Sequence, residues 1–168
     1  MPETLANRPS ANLATLPGAA VLLRVRRLLV LALIMSLVYG FFTHVSKSYC
    51  PGGFSGDGGF VDADGRPTDV APSCISLTLG PSWLVYAAIG VAVFMAITRV
   101  LKRAATEADA LRILDRAAAF IGILAVASIV ISHVWFALIP IDESGTGAFL
   151  FPFPFGAVTV DISPMTNG

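Results

Sequence analysis

Two histidines are the side chains best suited to chemistry within the apolar segments of this sequence. His44 lies sixteen residues after Leu28, and His133 lies sixteen residues after Ala117. If both segments are helices that leave the same side of a membrane, both imidazoles lie about 24 Å from that side. Imidazoles at one level on neighbouring helices can ligate a haem or a metal ion, or flank a quinone.

The same two histidines also suit a purely interfacial position, which is the interpretation that the sequence favours. Tryptophan and tyrosine concentrate where a membrane meets water, and a histidine there can find water or a backbone carbonyl. No cofactor is therefore predicted. The residues of such an aromatic belt are Trp83, Trp135, Tyr49 and Tyr86.

The only two cysteines, Cys50 and Cys74, fall between the first two apolar segments. An even pair in a loop on the oxidising side of a membrane indicates a disulfide bond. The spacing is not CxxC, and no helix begins at either thiol, which argues against a redox-active pair. We predict a disulfide that closes this loop.

Acidic residues within the same loop invite comparison with a calcium site. Asp62, Asp64 and Gly65 resemble part of an EF-hand loop, but Arg66 stands where an oxygen ligand is needed and no Glu occupies the twelfth position. A β-hairpin is the simpler interpretation: Phe60 and Val61 enter it, and the Asp-Gly pair forms the turn.

Composition defines the class of protein that must position these residues. The 168 residues are 55% hydrophobic and 13% charged, with a mean hydropathy of +0.78. A soluble domain has roughly a quarter of its residues charged, so this chain has too little polar surface for a water-soluble globule. Eleven basic residues balance eleven acidic ones, which also disfavours a nucleic-acid binder. We predict an integral membrane protein.

The fold class predicted is all-α, with three transmembrane helices at about 28–46, 78–100 and 117–139. Each of these segments is uncharged or nearly so and long enough to cross a hydrocarbon core of about 30 Å. A single span in lipid must be helical to satisfy its own backbone groups. The outer loop contains the hairpin, and the C-terminal tail is extended. The predicted segments are a flexible cytoplasmic tail (1–20), helix 1 (21–46), an extracytoplasmic loop (47–77), helix 2 (78–103), a cytoplasmic helical hairpin (104–116), helix 3 (117–139) and an extracytoplasmic tail (140–168).

Orientation follows from the basic residues, because cytoplasmic loops are enriched in Lys and Arg. Only Lys47 and Arg66 fall in the segments that would lie outside. The N-terminus is thus predicted to be cytoplasmic and the C-terminus extracytoplasmic, in a plasma membrane; the preference for Arg over Lys suggests a bacterium. The remaining cations are Arg8, Arg24, Arg26, Arg27, Arg99, Lys102, Arg103, Arg112 and Arg116.

Small residues recur at helical spacing and predict surfaces where helices pack closely. They can join the second and third spans to each other, form a homo-oligomer or bind a larger complex. Thr106 and Asp109 approximate a capping box, so a new helix should begin at Thr106. The small residues are Ala88, Ala92 and Ala96 in the second span and Ala118, Gly122 and Ala125 in the third.

The tail alternates phenylalanine with proline, which excludes a helix and a central strand. In an extended chain the rings point to one side and need cover from the outer loop, the headgroups or another protein. The alternation of Val158, Val160 and Ile162 predicts a short strand that could pair with the hairpin. The tail residues expected to dock are Phe149, Phe151, Phe153 and Phe155.

No recognised catalytic motif occurs in the sequence, and no charged residue lies within a predicted span except Arg99 at the end of the second. We therefore expect no enzyme and no small-molecule substrate. The function expected is that of a non-catalytic accessory, assembly or interaction subunit, whose partners are the bilayer and another membrane protein or a second copy. The alternatives are a redox subunit that binds haem or quinone through His44 and His133, and a small oligomeric channel.

Overall fold

The computed structural model describes residues 18–139 and 153–165 and places them in three helices and two small sheets. Predictions for residues 1–17 and 140–152, which include Phe149 and Phe151, fall outside these ranges. The helices are α1 (Ala19–Phe42), α2 (Trp83–Arg103) and α3 (Glu107–Leu138). The strands are β1 (Val45–Tyr49), β2 (Gly53–Phe54), β3 (Phe60–Val61), β4 (Pro67–Thr68), β5 (Ser73–Gly80) and β6 (Ala157–Pro164).

Two of the helices, α2 and α3, are long and apolar enough to cross a membrane. Only 17% and 22% of their most apolar stretches are buried inside the protein, unlike the core helix of a soluble domain. Most of the large apolar side chains of α2 and α3 point outward, whereas the buried face of α3 carries several small residues. That face comprises Ala110, Leu114, Ile121, Ala125, Ser128, Ser132 and Phe136.

The first helix is shorter at its C-terminus than predicted, and a third span is not confirmed. Thr43 ends α1: both its backbone N–H and its hydroxyl donate to the Tyr39 carbonyl. From Val45 the backbone is extended and pairs with β5. The uncharged part of α1, Leu28 to Phe42, is thus fifteen residues, about 22 Å.

The second helix begins at Trp83 rather than at 78, because the preceding residues form a strand. Ile75, Leu77 and Leu79 alternate with polar residues and are all buried on one face of β5. Pro81 follows the strand, and the Ser82 hydroxyl caps α2 by accepting from the Leu84 N–H at 3.3 Å. The all-α class is therefore not confirmed, since the three helices are joined by substantial β-structure.

The third helix is continuous from Glu107 to Leu138, so the predicted boundary at 116–117 is not a break in the backbone. Its predicted start is confirmed: the Thr106 hydroxyl accepts from the Asp109 N–H at 3.2 Å. The same hydroxyl lies 2.8 Å from the Asp109 carboxylate and donates to it, in place of the reciprocal backbone bond of a full capping box. Along its length α3 contacts both α1 and α2.

The larger sheet has the order β1–β5–β6 and is antiparallel throughout. Its apolar face covers the end of α3, where Leu77, Leu79 and Phe136 form a core with Val158 against it. We call this the sheet end of the helices, and the opposite end, which carries the arginines of all three helices, the basic end. The strand predicted at Val158–Ile162 is confirmed, but it pairs with β5 and not with the hairpin.

The smaller sheet, β2–β3–β4, contains the predicted hairpin. The Gly65 N–H donates to the Asp62 carbonyl at 3.1 Å, and Gly65 has a φ of 77°. A type I turn followed by a left-handed glycine is a standard hairpin connection. The Asp62 carboxylate accepts the backbone N–H groups of Asp64 and Arg66, at 3.1 and 2.7 Å, so it serves the turn itself.

The predicted disulfide between Cys50 and Cys74 is confirmed. Tyr49 pairs with Ile75 in the β1–β5 ladder, so the two cysteines are the next pair along the same two strands. The bond therefore joins the end of β1 to the start of β5. The chain between these two points forms the smaller sheet.

We expect the double variant Cys50→Ser/Cys74→Ser to lose roughly 3–4 kcal/mol of unfolding free energy, since the loop released holds 25 residues. Thermal unfolding in detergent measures the loss, with Ser48→Ala, an exposed change in β1, as the control. An unchanged midpoint would show that the β1–β5 pairing alone fixes the base of the loop.

Candidate functional site

The polar centre of the molecule is a junction at the sheet end, defined by Tyr39, Ser82, Ser132 and Phe155. Tyr39 lies on α1 and is fully buried. Its hydroxyl accepts a hydrogen bond from the Ser82 N–H at 2.7 Å and donates one to the Phe155 carbonyl at 2.8 Å. One phenol thus links α1, the start of α2 and the C-terminal segment.

The third helix joins this junction through Ser132, whose hydroxyl donates to the same Phe155 carbonyl at 2.6 Å. Both lone pairs of that carbonyl are therefore used, one by α1 and one by α3. Close approach requires the next residue to be glycine: a Cβ on Gly156 would lie 2.8 Å from the Leu79 Cδ1 and 3.4 Å from the Ser132 Oγ. The tail is thus held directly against the helices.

The aromatic rings of the tail pack on the same helix end. Phe153 stacks on Trp135 of α3, with centroids 4.2 Å apart and planes 7° from parallel. Phe153 and Phe155 also meet edge to face at 5.7 Å. Pro154 and Phe155 form a turn rather than continuing the predicted extended chain. Phe153 therefore packs on α3, and Phe155 packs against the core between the helices.

Of the two histidines, His133 caps a helix. Its Nε2 lies 2.7 Å from the carbonyl oxygen of Phe42, the last residue of α1, and must donate because a carbonyl can only accept. His44 is exposed, two residues after that carbonyl. Both imidazoles thus belong to the sheet end. Among the described residues, no three His, Cys, Asp or Glu side chains form a group that could hold a metal ion.

The C-terminal end of α3 is capped by Lys47 of β1. The last turn of α3 contains no basic residue. The Lys47 ammonium donates to the carbonyls of Phe136 and Ala137, the latter at 3.2 Å, and lies 4.8 Å from the centroid of the Phe136 ring. A cation at this position offsets the negative end of the helix dipole and gives the Ala137 carbonyl a donor. The Phe136 carbonyl also accepts the Ile139 N–H, at 3.4 Å.

The small residues predicted to pack helices occupy two kinds of position. Ala96 and Ala125 are fully buried, whereas Ala88, Ala92, Ala118 and Gly122 are half-buried. Ala92 and Ala118 pack against the core between the helices. Gly122 instead lines a shallow apolar groove on the outer face of α3. At the basic end, Arg24 of α1 pairs with Asp115 of α3 at 3.0 Å.

The sequence predicted no hydrogen-bonding role for the junction residues Tyr39, Ser82 and Ser132. Pro81-Ser82 before an apolar run is a recognisable helix start, because serine is a preferred N-cap. Tyr39 offered a weaker signal, a lone phenol that needs a partner when buried in an apolar segment. Nothing in the sequence indicates that Phe155, 116 residues after Tyr39, supplies the acceptor.

We expect Tyr39→Phe to lower the unfolding free energy by about 1–3 kcal/mol, because the buried Ser82 N–H then has no acceptor. Denaturant or thermal unfolding in detergent measures it. Tyr86→Phe is the matched control, since within the described residues the Tyr86 hydroxyl makes no hydrogen bond and only its ring meets Tyr39. Equal losses of unfolding free energy in the two variants would show that the Tyr39 hydroxyl does not stabilise the junction.

Comparisons with family models, with curated proteins and with solved structures find no match to this chain. Its function is therefore inferred from its own residues and contacts. Three features support that inference: the junction that joins three helices to the tail, the capped helix ends and the apolar outer faces.

Proposed function

We propose that the chain is a non-catalytic, multi-pass membrane protein that acts as an accessory, assembly or interaction subunit. In this proposal all three helices cross the plasma membrane of a bacterium. The basic end lies in the cytoplasm, and the sheet end and C-terminus lie outside. The observation that carries the proposal is the apolar outer face of α3, which is large, grooved and turned away from α1 and α2.

Membrane insertion is supported by the outward direction of the large apolar side chains. On α3, Ile123 is 68% exposed and Val130 55%; on α1, Leu37 is 65% exposed and Phe41 78%. Contiguous apolar surface of this extent is unfavourable in water, and a bilayer removes that cost.

Insertion of α1 needs a separate argument, because its uncharged part is only about 22 Å long. It packs along α3, which is long enough to cross, and so shares its depth. Arg24, Arg26 and Arg27 precede the uncharged part, and arginine side chains near a helix end can reach the headgroups along their aliphatic stems. The local bilayer can also thin to match a short span.

Orientation is supported by the charges at the two ends. The basic end carries most of the described arginines, and basic loops favour the cytoplasmic side. The Cys50–Cys74 disulfide lies at the opposite end and suits the oxidising side.

We expect a periplasmic reporter enzyme fused after Gly168 to be active and the same reporter fused after Ala104 to be inactive. The reverse pattern would overturn the orientation.

The interaction surface is the groove along the outer face of α3, with a volume of about 510 Å³. Gly122 and Ala127 contribute almost no side chain. The other lining residues are Ile123, Val126, Val130 and Ile131. Small residues let helix backbones approach closely in a membrane, where packing rather than the hydrophobic effect drives association. The occupant that we propose is a transmembrane helix of another subunit.

Photocrosslinking in native membranes tests this surface. With a photoreactive residue at Val126, we expect an adduct whose mass exceeds that of the chain by a partner's mass. The same residue at Leu33, an equally apolar and exposed position on α1, should give little adduct. A single adduct of twice the chain's mass would show that the groove binds a second copy of the chain, which would contradict the accessory role. Similar adduct yields at Val126 and Leu33 would show that the groove is not an interface.

The geometry gives less support to the two alternatives. A redox subunit would use His44 and His133, but the Nε2 of His133 is already committed to the Phe42 carbonyl. A channel within one chain would need an open path between the helices, where Leu28, Leu114 and Ile121 instead fill the space. An oligomeric channel would have to form its pore between copies of the chain.

A further inference from the structure

The basic end carries a second apolar groove, which lies between α2 and α3 and has a volume of about 400 Å³. Its lining includes Ala92 and Ala96 from α2 and Ala117 and Phe120 from α3. Small side chains therefore leave an open channel between two helices that otherwise pack together. Two guanidinium groups, those of Arg99 and Arg116, also line this groove and are its charged groups.

A further groove, about 390 Å³, runs along the other side of α2. It shares Met95 and Arg99 with the first groove and continues to Lys102 and Arg103. Met95 and Arg99 are one helical turn apart, so they form a ridge between the two grooves. The two apolar channels thus converge on Arg99 at their basic end.

The cations of these grooves lack a described acidic partner. Across residues 18–139 and 153–165 the one ion pair joins Arg24 to Asp115. Of the two acids in the first turn of α3, Asp109 is bonded to Thr106, and Glu107 makes no ion pair within the described residues. Arg99 and Arg116 are exposed and face an apolar groove, an arrangement that suits an anion attached to an apolar chain.

We propose that this site binds one anionic diacyl phospholipid, with its phosphate between Arg99 and Arg116 and its two acyl chains on either side of Met95. Guanidinium groups bind phosphate oxygens in a bidentate manner. From Ala92 to Arg99 the groove is about 10 Å long, which is less than one leaflet of a core of about 30 Å. The proposal rests on the membrane placement proposed above, because that placement puts these arginines at the headgroups.

Native mass spectrometry of the full chain in detergent tests the site without any variant. The probes are phosphatidylglycerol, phosphatidylcholine and inorganic phosphate. We expect one bound phosphatidylglycerol, held roughly tenfold or more tightly than phosphatidylcholine, because only the anionic lipid presents its phosphate without a compensating cation. Equal affinity for the two lipids would overturn the proposal. Displacement of the lipid by millimolar phosphate would instead indicate a plain anion site, which also overturns it.

Two variants separate the charges from the groove. Arg99→Gln/Arg116→Gln should remove the preference for phosphatidylglycerol, whereas Arg26→Gln/Arg27→Gln, which alters cations of α1 outside both grooves, should keep it. Ala92→Leu should weaken lipid binding with the charges intact, because the leucine fills the groove. If Ala92→Leu changes nothing, no acyl chain lies there and the proposal is wrong.

Failure of this proposal can be distinguished from failure of the proposed function. Lipid selectivity is measured on the purified chain, whereas the interaction role is measured by crosslinking at Val126, on a different face of α3. A crosslinked partner without lipid selectivity would overturn only the lipid site. Selectivity with no adduct at Val126 would overturn only the interaction role.

Discussion

The hydroxyl of Tyr39 is the constraint on which the sheet end depends. A backbone N–H or carbonyl buried without a partner costs about 1–3 kcal/mol, and here the chain must end one helix, begin another and bring in a tail at the same place. Tyr39 satisfies the Ser82 N–H and the Phe155 carbonyl together, and Ser132 supplies the second bond to that carbonyl. Three helices and the tail are therefore fixed relative to one another by hydrogen bonds that reach across the molecule.

The same requirement explains the caps around the junction. At the ends of α1 and α3, residues distant in sequence donate to backbone carbonyls: His133 to Phe42, and Lys47 to Phe136 and Ala137. His133, which in the sequence could suggest a cofactor ligand, thus caps a helix. Because these donors lie on α3 and β1, they also hold α1, α3 and the larger sheet together.

Local signals in the sequence predicted local structure well. The Asp64-Gly65 turn and the helix start at Thr106 depend on residues within a few positions of each other, and both are present. The cysteine pair could be predicted because only one pairing exists. Hydropathy could not place the ends of the helices. Val45 and Leu79 are apolar whether they lie in a helix or on the buried face of a strand, and the pairing that decides between these joins residues far apart, such as Leu79 and Val158. The partner of Tyr39 was unpredictable for the same reason.

The polar side chains at the two ends of the helices differ in their partners. At the sheet end, the Tyr39 and Ser132 hydroxyls and the Lys47 ammonium each bind a backbone group of another element, so the fold itself uses them. At the basic end, only Arg24 has a described acidic partner, and Arg99 and Arg116 border an apolar groove without one. In the proposed membrane placement these exposed guanidinium groups lie at the headgroups, where an anionic lipid can pair with them. The sheet end is thus completed by the chain's own residues, whereas in our proposal a lipid completes the basic end.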